Sequence, residues 1–268
     1  MVITNRDIID AVECIAPRRL QEDYDNTGLQ CGVIDTPCTG VLLCVDVTAD
    51  IIDEACRLGC NLVITHHPLL FKAVKRIDGE GRVQAALVAA IKRDVAVYSC
   101  HTAIDNAPSG ISHVMASRLG VDNVRVLESR DDHELGAVGS GVIGDLPEAV
   151  TPARFVSMVK EVFGSPVARC SDPEALSHGK MIRRVGMCGG AGAFLIDDAI
   201  AGGADAYLTS DTRYNLFLDC ARDIFLVDIG HYESEECAKE IFYHVITKKF
   251  PNFAVYKSII EQNPIKYL

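Results

Sequence analysis

The chain alternates between short apolar runs and segments in which apolar residues recur every three or four positions. A short continuous apolar run is typical of a buried parallel strand, and the longer spacing is typical of a helix that covers such a sheet. The clearest runs are residues 41–47, 62–65, 95–100 and 223–229. The pattern therefore predicts an α/β protein whose sheets are flanked by helices.

Helix signals stand between several of these runs. Thr4 is suited to be an N-cap before apolar residues at helical spacing, and Pro17 ends that pattern. A second helix is predicted over residues 49–58, with Gly59 as its C-cap. Strand 41–47, this helix and strand 62–65 make a βαβ unit, so the sheet is predicted to be parallel here.

One segment of the chain resembles a later one. Residues 41–67 and 185–211 align without a gap, with eight identities and matching apolar positions. The match predicts a duplicated βαβ unit, although convergence on a common pattern also explains it. The alignment sets Ser210 and Asp211 opposite His66 and His67, where the alternative role for 210–212 is a helix N-cap. The glycine-rich residues 189–193 suit either a phosphate or a tight turn.

The most polar stretch lies at residues 128–140 and predicts the internal boundary. We expect a first α/β domain from residues 1–127 together with 234–268, and a second from residues 128–233. His133, inside the polar stretch, is expected to be solvated.

Composition narrows the function classes. A net charge of −11 over 268 residues argues against general nucleic-acid binding, which needs a basic surface. Eleven cysteines without paired CxxC spacing predict reduced thiols. We expect buried thiols at the positions inside apolar runs, which are Cys44, Cys56, Cys60, Cys100, Cys188 and Cys220. The chain shows no signal-peptide core and no apolar run of about 18 residues. We therefore expect a cytoplasmic protein that does not enter a membrane.

Three predicted strands end in possible metal ligands. His66 and His67 follow the first strand, His101 and Asp105 the second, and His231 and Glu235 the last. The carboxyl ends of parallel strands are where α/β proteins bind ligands. Because neighbouring strand residues point to opposite faces, His66 and His67 would serve two ions or lie on a twisted strand end.

The ligand types restrict the metal. Imidazole and carboxylate without thiolate suit Zn, Fe(II), Mn or Co, and five ligands suffice for two ions. Simpler roles exist, since Asp105 can cap its own loop and Glu235 can balance a helix dipole. The turn-rich segment 25–32 places Asp25, Asn26 and Gln30 either near a ligand or in a tight loop.

These motifs together resemble one known family. The segments at residues 24–32, 65–71, 101–105 and 230–235 are similar to those of the NIF3-like family, often labelled GTP cyclohydrolase 1 type 2. The resemblance implies two related α/β domains, a dinuclear metal site in the cleft between them, and a homo-oligomer in the form of a hexameric ring. It implies two divalent ions (Zn, Fe or Mn) on ligands His66, His67, Asp105, His231 and Glu235. It also implies that Asp105 or Glu235 bridges the ions.

The function that follows is hydrolysis. Two cations would lower the pKa of a bridging water and make hydroxide available, with His101 as a catalytic proton shuttle. By resemblance the reaction is that of a GTP cyclohydrolase, acting on a small-molecule or nucleotide substrate. A metal-dependent phosphoesterase and a non-catalytic metal-binding or interaction protein remain alternatives. Tyr24 and Asn215 depart from the family pattern, and residues 170–180 form a short loop where some relatives carry an inserted domain.

Overall fold

A computed structural model describes residues 2–176 and 181–268, so residues 177–180 of the predicted short loop lie outside the described residues. The strands in the described residues are β1 (Gly28–Cys31), β2 (Val41–Cys44), β3 (Leu62–Thr65), β4 (Ala96–Ser99), β5 (Asp122–Asp132), β6 (Gly136–Val150), β7 (Arg169–Cys170), β8 (Ile182–Met187), β9 (Ala206–Thr209), β10 (Phe225–Asp228) and β11 (Val255–Lys257).

The α-helices alternate with these strands over much of the chain. They are α1 (Asn5–Glu13), α2 (Ala49–Arg57), α3 (Gly81–Lys92), α4 (Thr102–Asp105), α5 (Ile111–Arg118), α6 (Pro152–Phe163), α7 (Ile196–Ala201), α8 (Tyr214–Asp219), α9 (His231–Glu235) and α10 (Ala238–Lys249). Short 3-10 turns lie at Arg18–Leu20, Pro173–Ala175 and Ala193–Leu195. Thr4 caps α1 through a reciprocal capping box with Asp7, as its sequence predicts.

The chain divides into two compact units, and the first comprises Met1–Ile104 with Glu236–Gln262. Its five described strands have the order β1-β4-β3-β2-β11, and all neighbours are parallel except β1 and β4. Every residue of β2, β3 and β4 is buried, which explains their continuous apolar sequence. The core on the α2 and α3 face includes Leu42, Ile52 and Leu87.

The second unit comprises Asp105–Glu235 with Asn263–Leu268. Its described strands have the order β5-β6-β8-β9-β10-β7. Strands β8, β9 and β10 are parallel, whereas β5, β6 and β7 join antiparallel. Its core includes Ile143, Leu195, Tyr207 and Leu226. The molecule is therefore a mixed α/β protein with two sheets flanked by helices, as the sequence predicts.

The polar stretch at residues 128–140 is a hairpin rather than a linker. Strand β5 spans the expected boundary between residues 127 and 128 and pairs with β6 from Asp122 to Asp132. Most β5 side chains are exposed, so the strand has the polar composition of a connecting segment. His133 lies at the turn with its side chain 81% exposed, which agrees with the expected solvation.

The two aligned segments have the same backbone plan. In the first, Val41 pairs with Leu62 across parallel strands, and in the second Val185 pairs with Ala206. The gapless alignment superimposes these two registers. Gly59 and Gly203 end the connecting helices with positive φ angles of 72° and 76°, a conformation that glycine adopts readily. Both segments are thus βαβ units, whereas common ancestry stays a prediction.

Cysteine usage follows the sequence interpretation except at one position. All eleven cysteines are free thiols. Cys44, Cys60, Cys100, Cys188 and Cys220 are buried, whereas Cys56 is exposed. The expectation for Cys56 is wrong because an apolar run in an amphipathic helix also contains positions that face water. Within the described residues, no helix has the length and apolar character to cross a bilayer.

Candidate metal centre

His66 and His67 follow β3 directly, at its carboxyl end. The His66 N–H donates to Cys44 O at 3.2 Å, and the His67 N–H donates to Val45 O at 2.9 Å. The backbone of both histidines is therefore tied to the neighbouring strand although β3 itself ends at Thr65. Their ring centroids lie 4.9 Å apart. His66 and His67 therefore lie at a strand end, which is one of the two arrangements expected for them from the sequence.

His101 joins them from the end of β4. The ligand atoms of His66, His67 and His101 lie within 4.8 Å of one another, close enough for a metal ion. The sequence places His101 among the possible ligands at the strand ends, and the resemblance implies a proton shuttle beside the ligands. Because β3 and β4 are adjacent and parallel, their carboxyl ends deliver all three imidazoles to one place.

An oxygen atom lies behind each of these three rings. His66 Nδ1 is 3.2 Å from Cys100 O, His67 Nδ1 is 3.2 Å from an Asp46 oxygen, and His101 Nδ1 is 2.7 Å from an Asp25 oxygen. An oxygen acceptor favours the tautomer with the proton on Nδ1. The lone pair is then on Nε2, which is a common arrangement of metal-binding histidines.

Asp25 is the most constrained of these acceptors, with a fully buried side chain. Its Oδ2 accepts hydrogen bonds from the Thr102 N–H at 3.0 Å and the Thr27 hydroxyl at 3.0 Å, besides the Thr102 hydroxyl. Burial alone would raise the pKa of Asp25, but hydrogen bonds from His101 and Thr102 outweigh it and hold the pKa far below its usual value. Asp25 is therefore an ionised carboxylate that orients His101.

The rest of the turn-rich segment supports the residues after His67. Asn26 Nδ2 donates to Leu70 O at 3.0 Å, and the Leu70 N–H donates to Gln30 Oε1 at 3.0 Å. Asn26 and Gln30 thus hold the backbone beyond Pro68. Phe71 lies edge-on to His101, with ring centroids 5.9 Å apart, and gives this histidine an apolar neighbour.

Asp46 was not singled out from the sequence. Burial opposes its ionisation, yet the hydrogen bond from His67 and the charge of Arg82 keep the pKa of Asp46 below its usual value. The signal was present in the sequence, because Asp46 lies two residues after the end of β2 just as His67 lies two residues after the end of β3. A carboxylate at the end of an adjacent parallel strand is a natural partner for an imidazole.

His231 and Glu235 form a second group, within the second unit. They begin and end the five-residue helix α9, so their side chains are one turn apart, and His231 Nε2 lies 2.8 Å from Glu235 Oε2. His231 Nδ1 lies 2.9 Å from Asp211 Oδ2. Asp105, the remaining predicted ligand, belongs to the same compact unit and is the last residue of α4.

The alignment of the two segments set Asp211 opposite His67, with a helix N-cap as the alternative role for residues 210–212. Asp211 follows β9 at the position aligned with His67 and has a positive φ of 53°, which is unusual for a residue other than glycine. The N-cap alternative for residues 210–212 is wrong, because α8 begins at Tyr214 and Arg213 is its N-cap. The second unit presents a carboxylate that orients His231.

The glycine-rich segment 189–193 packs against α9. A Cβ at Gly190 would lie 2.1 Å from Glu235 Oε1, and the residue has a φ of +63°. The Gly190 N–H donates to the Ser234 hydroxyl at 2.9 Å, while Gly190 O accepts from the Ser210 hydroxyl at 2.6 Å. Close approach and tight turning account for these glycines.

A surface pocket of about 580 Å³ lies in the second unit beside Asp211. Phe194 offers it an aromatic face, Arg213 a positive charge and Asn215 an amide. Asn215 is one of the positions that depart from the pattern resembled by the sequence. The size lies within the range of pockets that bind small molecules.

Comparison with known proteins agrees with this architecture. The family model for Duf34/NIF3 (NGG1p interacting factor 3) matches residues 3–264. The chain belongs to the NIF3 family. Its family relatives include a Clostridium acetobutylicum protein named GTP cyclohydrolase 1 type 2 homolog, 30% identical over 88% of this chain and 86% of the relative. A Clostridium perfringens protein of the same name is 31% identical over 85% of this chain and 86% of its own.

Solved structures show that the NIF3 fold extends over the entire chain. A Staphylococcus aureus hypothetical protein matches with a TM-score of 0.90 and 24% identity, covering 100% of both chains. A Bacillus cereus protein related to NIF3 matches with a TM-score of 0.88 and 22% identity, again over 100% of both chains. At these identities the likeness establishes the fold.

Proposed function

We propose that this NIF3 protein is a metal-dependent hydrolase that binds two divalent ions. The proposed ligands are His66, His67, Asp105, His231 and Glu235. The observation that carries the proposal is that two proposed ligands, His66 and His67, and the proposed proton shuttle His101 bring their ligand atoms within 4.8 Å of one another. Each of these rings has an oxygen acceptor at Nδ1, which is how proteins commonly orient imidazoles toward a metal.

The chemistry of the donors fits such ions. The proposed ligands are imidazoles and carboxylates, which suit Zn, Fe(II) or Mn. The nearby thiols are poor competitors, since burial raises the pKa of Cys188 to about 12 and raises that of Cys44 as well. A thiol that keeps its proton at neutral pH is a weak metal ligand.

The residues of the chain supply orientation and proton transfer. When bound, divalent ions act as Lewis acids and activate water near neutral pH. Asp25 accepts the Nδ1 proton of His101, so His101 can take up a proton at Nε2. Phe71, edge-on to His101, shields one side of this imidazole from water. His101 is the proposed general base and acid.

The substrate is proposed from the relatives. Because several carry the name GTP cyclohydrolase 1 type 2 homolog, GTP is the first substrate to test, with dihydroneopterin triphosphate and formate as products. The pocket beside Asp211 is large enough for a small organic molecule. A phosphoester or amide would be attacked by the same chemistry.

The test is turnover by metal-loaded protein. Formate and pterin release from GTP would be measured beside a panel of phosphoesters and amides, with and without added Zn, Fe(II) or Mn. We expect turnover of at least one substrate, and a loss of about 100-fold or more in His101→Ala with metal content retained. Complete inactivity with two ions bound would instead favour a non-catalytic metal-binding or interaction protein.

A further inference from the structure

We propose that Glu261 is a positioning residue for the metal centre, acting on His67 through the backbone of Val45 and Asp46. The inference rests on the proposed function, because it assumes that His67 binds metal. Glu261 lies 194 positions after His67 in the chain, outside the motifs that define the site.

The carboxylate of Glu261 is hydrogen-bonded to the backbone just after the end of β2. Its Oε1 accepts two hydrogen bonds, from the Val45 N–H and the Asp46 N–H, each at 2.8 Å. Both amides lie just beyond Cys44, the last residue of β2. Hydrogen bonds to a charged acceptor are stronger than those between neutral groups. Glu261 therefore fixes the peptide that carries the Asp46 side chain.

The other oxygen of Glu261 is held by Lys239. Lys239 Nζ lies 3.0 Å from Glu261 Oε2, and the two side chains are only 5% and 6% exposed. Both carboxylate oxygens of Glu261 therefore have partners. A different arrangement of this buried ion pair would leave a charge poorly compensated, so the carboxylate is held in one geometry. Lys239 is in α10, so the helix fixes the position of the carboxylate.

The segment of Val45 and Asp46 that Glu261 binds contacts His67 in two ways. Asp46 Oδ1 lies 3.2 Å from His67 Nδ1, and Val45 O accepts the His67 N–H at 2.9 Å. Val45 thus joins Glu261 through its N–H and His67 through its carbonyl. A shift of this short segment would move both the ring orientation and the backbone of His67.

Glu54 provides a matched control on the same C-terminal segment. Its side chain accepts a hydrogen bond from the Ile259 N–H at 3.0 Å and another from the Ser258 hydroxyl. Glu54 is also buried, and it anchors residues next to Glu261. These hydrogen bonds come from residues 258 and 259 and not from Val45 or Asp46. Glu54→Ala therefore measures how much stability the protein loses when the C-terminal segment is less firmly held.

The experiment measures Co²⁺ binding to the purified, metal-stripped full chain. Titrations of wild type, Glu261→Ala, Glu261→Gln and Glu54→Ala would follow affinity and the visible absorption spectrum of bound Co²⁺, with thermal unfolding as a record of stability. For Glu261→Ala we expect affinity to fall by about 10-fold to 100-fold and the spectrum to change. Glu261→Gln, which keeps an oxygen acceptor, should recover most of both.

The outcomes separate the two claims. Glu54→Ala should lose stability but keep the wild-type affinity and spectrum. If Glu261→Ala binds Co²⁺ like wild type, or if Glu54→Ala weakens binding equally, the positioning role is wrong. If Glu261→Ala does not fold, the result for Glu261→Gln decides. We expect this variant to bind Co²⁺ about threefold more weakly than wild type. Wild-type affinity together with a wild-type spectrum would count against the role. Wild-type protein that binds no Co²⁺ would instead overturn the proposed function.

Discussion

At the scale of single residues, a carboxylate oxygen lies behind a histidine ring in each of the two histidine groups. Asp25, Asp46 and Asp211 each accept from a different ring, at His101, His67 and His231. The acceptors limit ring rotation, so a metal would meet imidazoles that are already oriented.

Replacement of Asp25 by Asn should destabilise the protein. The buried Oδ2 accepts hydrogen bonds from Thr27 and Thr102, and an amide nitrogen there would face donors. We expect a loss of about 1–3 kcal/mol in the free energy of unfolding at pH 7. Denaturant unfolding measures it, with Asp35→Asn, at the exposed ion pair with Arg6, as a control that changes little.

The effect of Asp25→Asn should depend on pH in one direction. The pKa of Asp25 is lowered in the folded protein, so its stabilisation is complete above the ordinary aspartate pKa of about 3.9. It is lost as the pH falls through the lower folded value. The difference in unfolding free energy between wild type and Asp25→Asn should therefore shrink below about pH 4. A difference that stays constant to pH 2 would contradict this account.

At the scale of elements, the Gly190 turn and helix α9 form one structural unit. Gly190→Ala would place a Cβ 2.1 Å from Glu235 Oε1 at a left-handed backbone position. We expect about 1–3 kcal/mol of destabilisation and weaker metal binding, because Glu235 must move. Thermal unfolding and metal titration measure the two effects.

Gly203→Ala is the control for that variant. Gly203 has a similar φ of +76°, but the new Cβ would lie 3.9 Å from an Arg184 side-chain nitrogen, an ordinary contact distance. It should lose some stability for conformational reasons and keep its metal affinity. Equal losses of affinity in both variants would contradict the role given to Gly190.

The elements were largely predictable, whereas the pairing of Asp25 with His101 was not. Buried strands and amphipathic helices leave a strong periodic signal, so β2, α2 and β3 appear where the pattern places them. Proximity to His101 leaves no such signal in Asp25, which is 76 positions away in the sequence. The hairpin of β5 and β6 was missed because an exposed strand has the composition of a linker.

At the scale of the whole molecule, we expect the chain to associate with copies of itself as a hexameric ring. Large apolar side chains such as Phe194, Tyr214 and Ile259 are 61%, 75% and 88% exposed. In a symmetric homo-oligomer, exposed apolar side chains of this kind can be buried between copies of the chain. Multi-angle light scattering should give six times the mass of one chain, and a purely monomeric profile at micromolar concentration would contradict this.

The central claim is that separate strand ends supply the ligands for two metal ions. The most direct test is elemental analysis of protein that has been stripped, loaded with Zn²⁺ and dialysed. The account predicts two ions per wild-type chain, and one or fewer in Asp105→Ala with the fold intact by circular dichroism. Wild-type protein that retains no metal, or Asp105→Ala that still retains two ions, would contradict it.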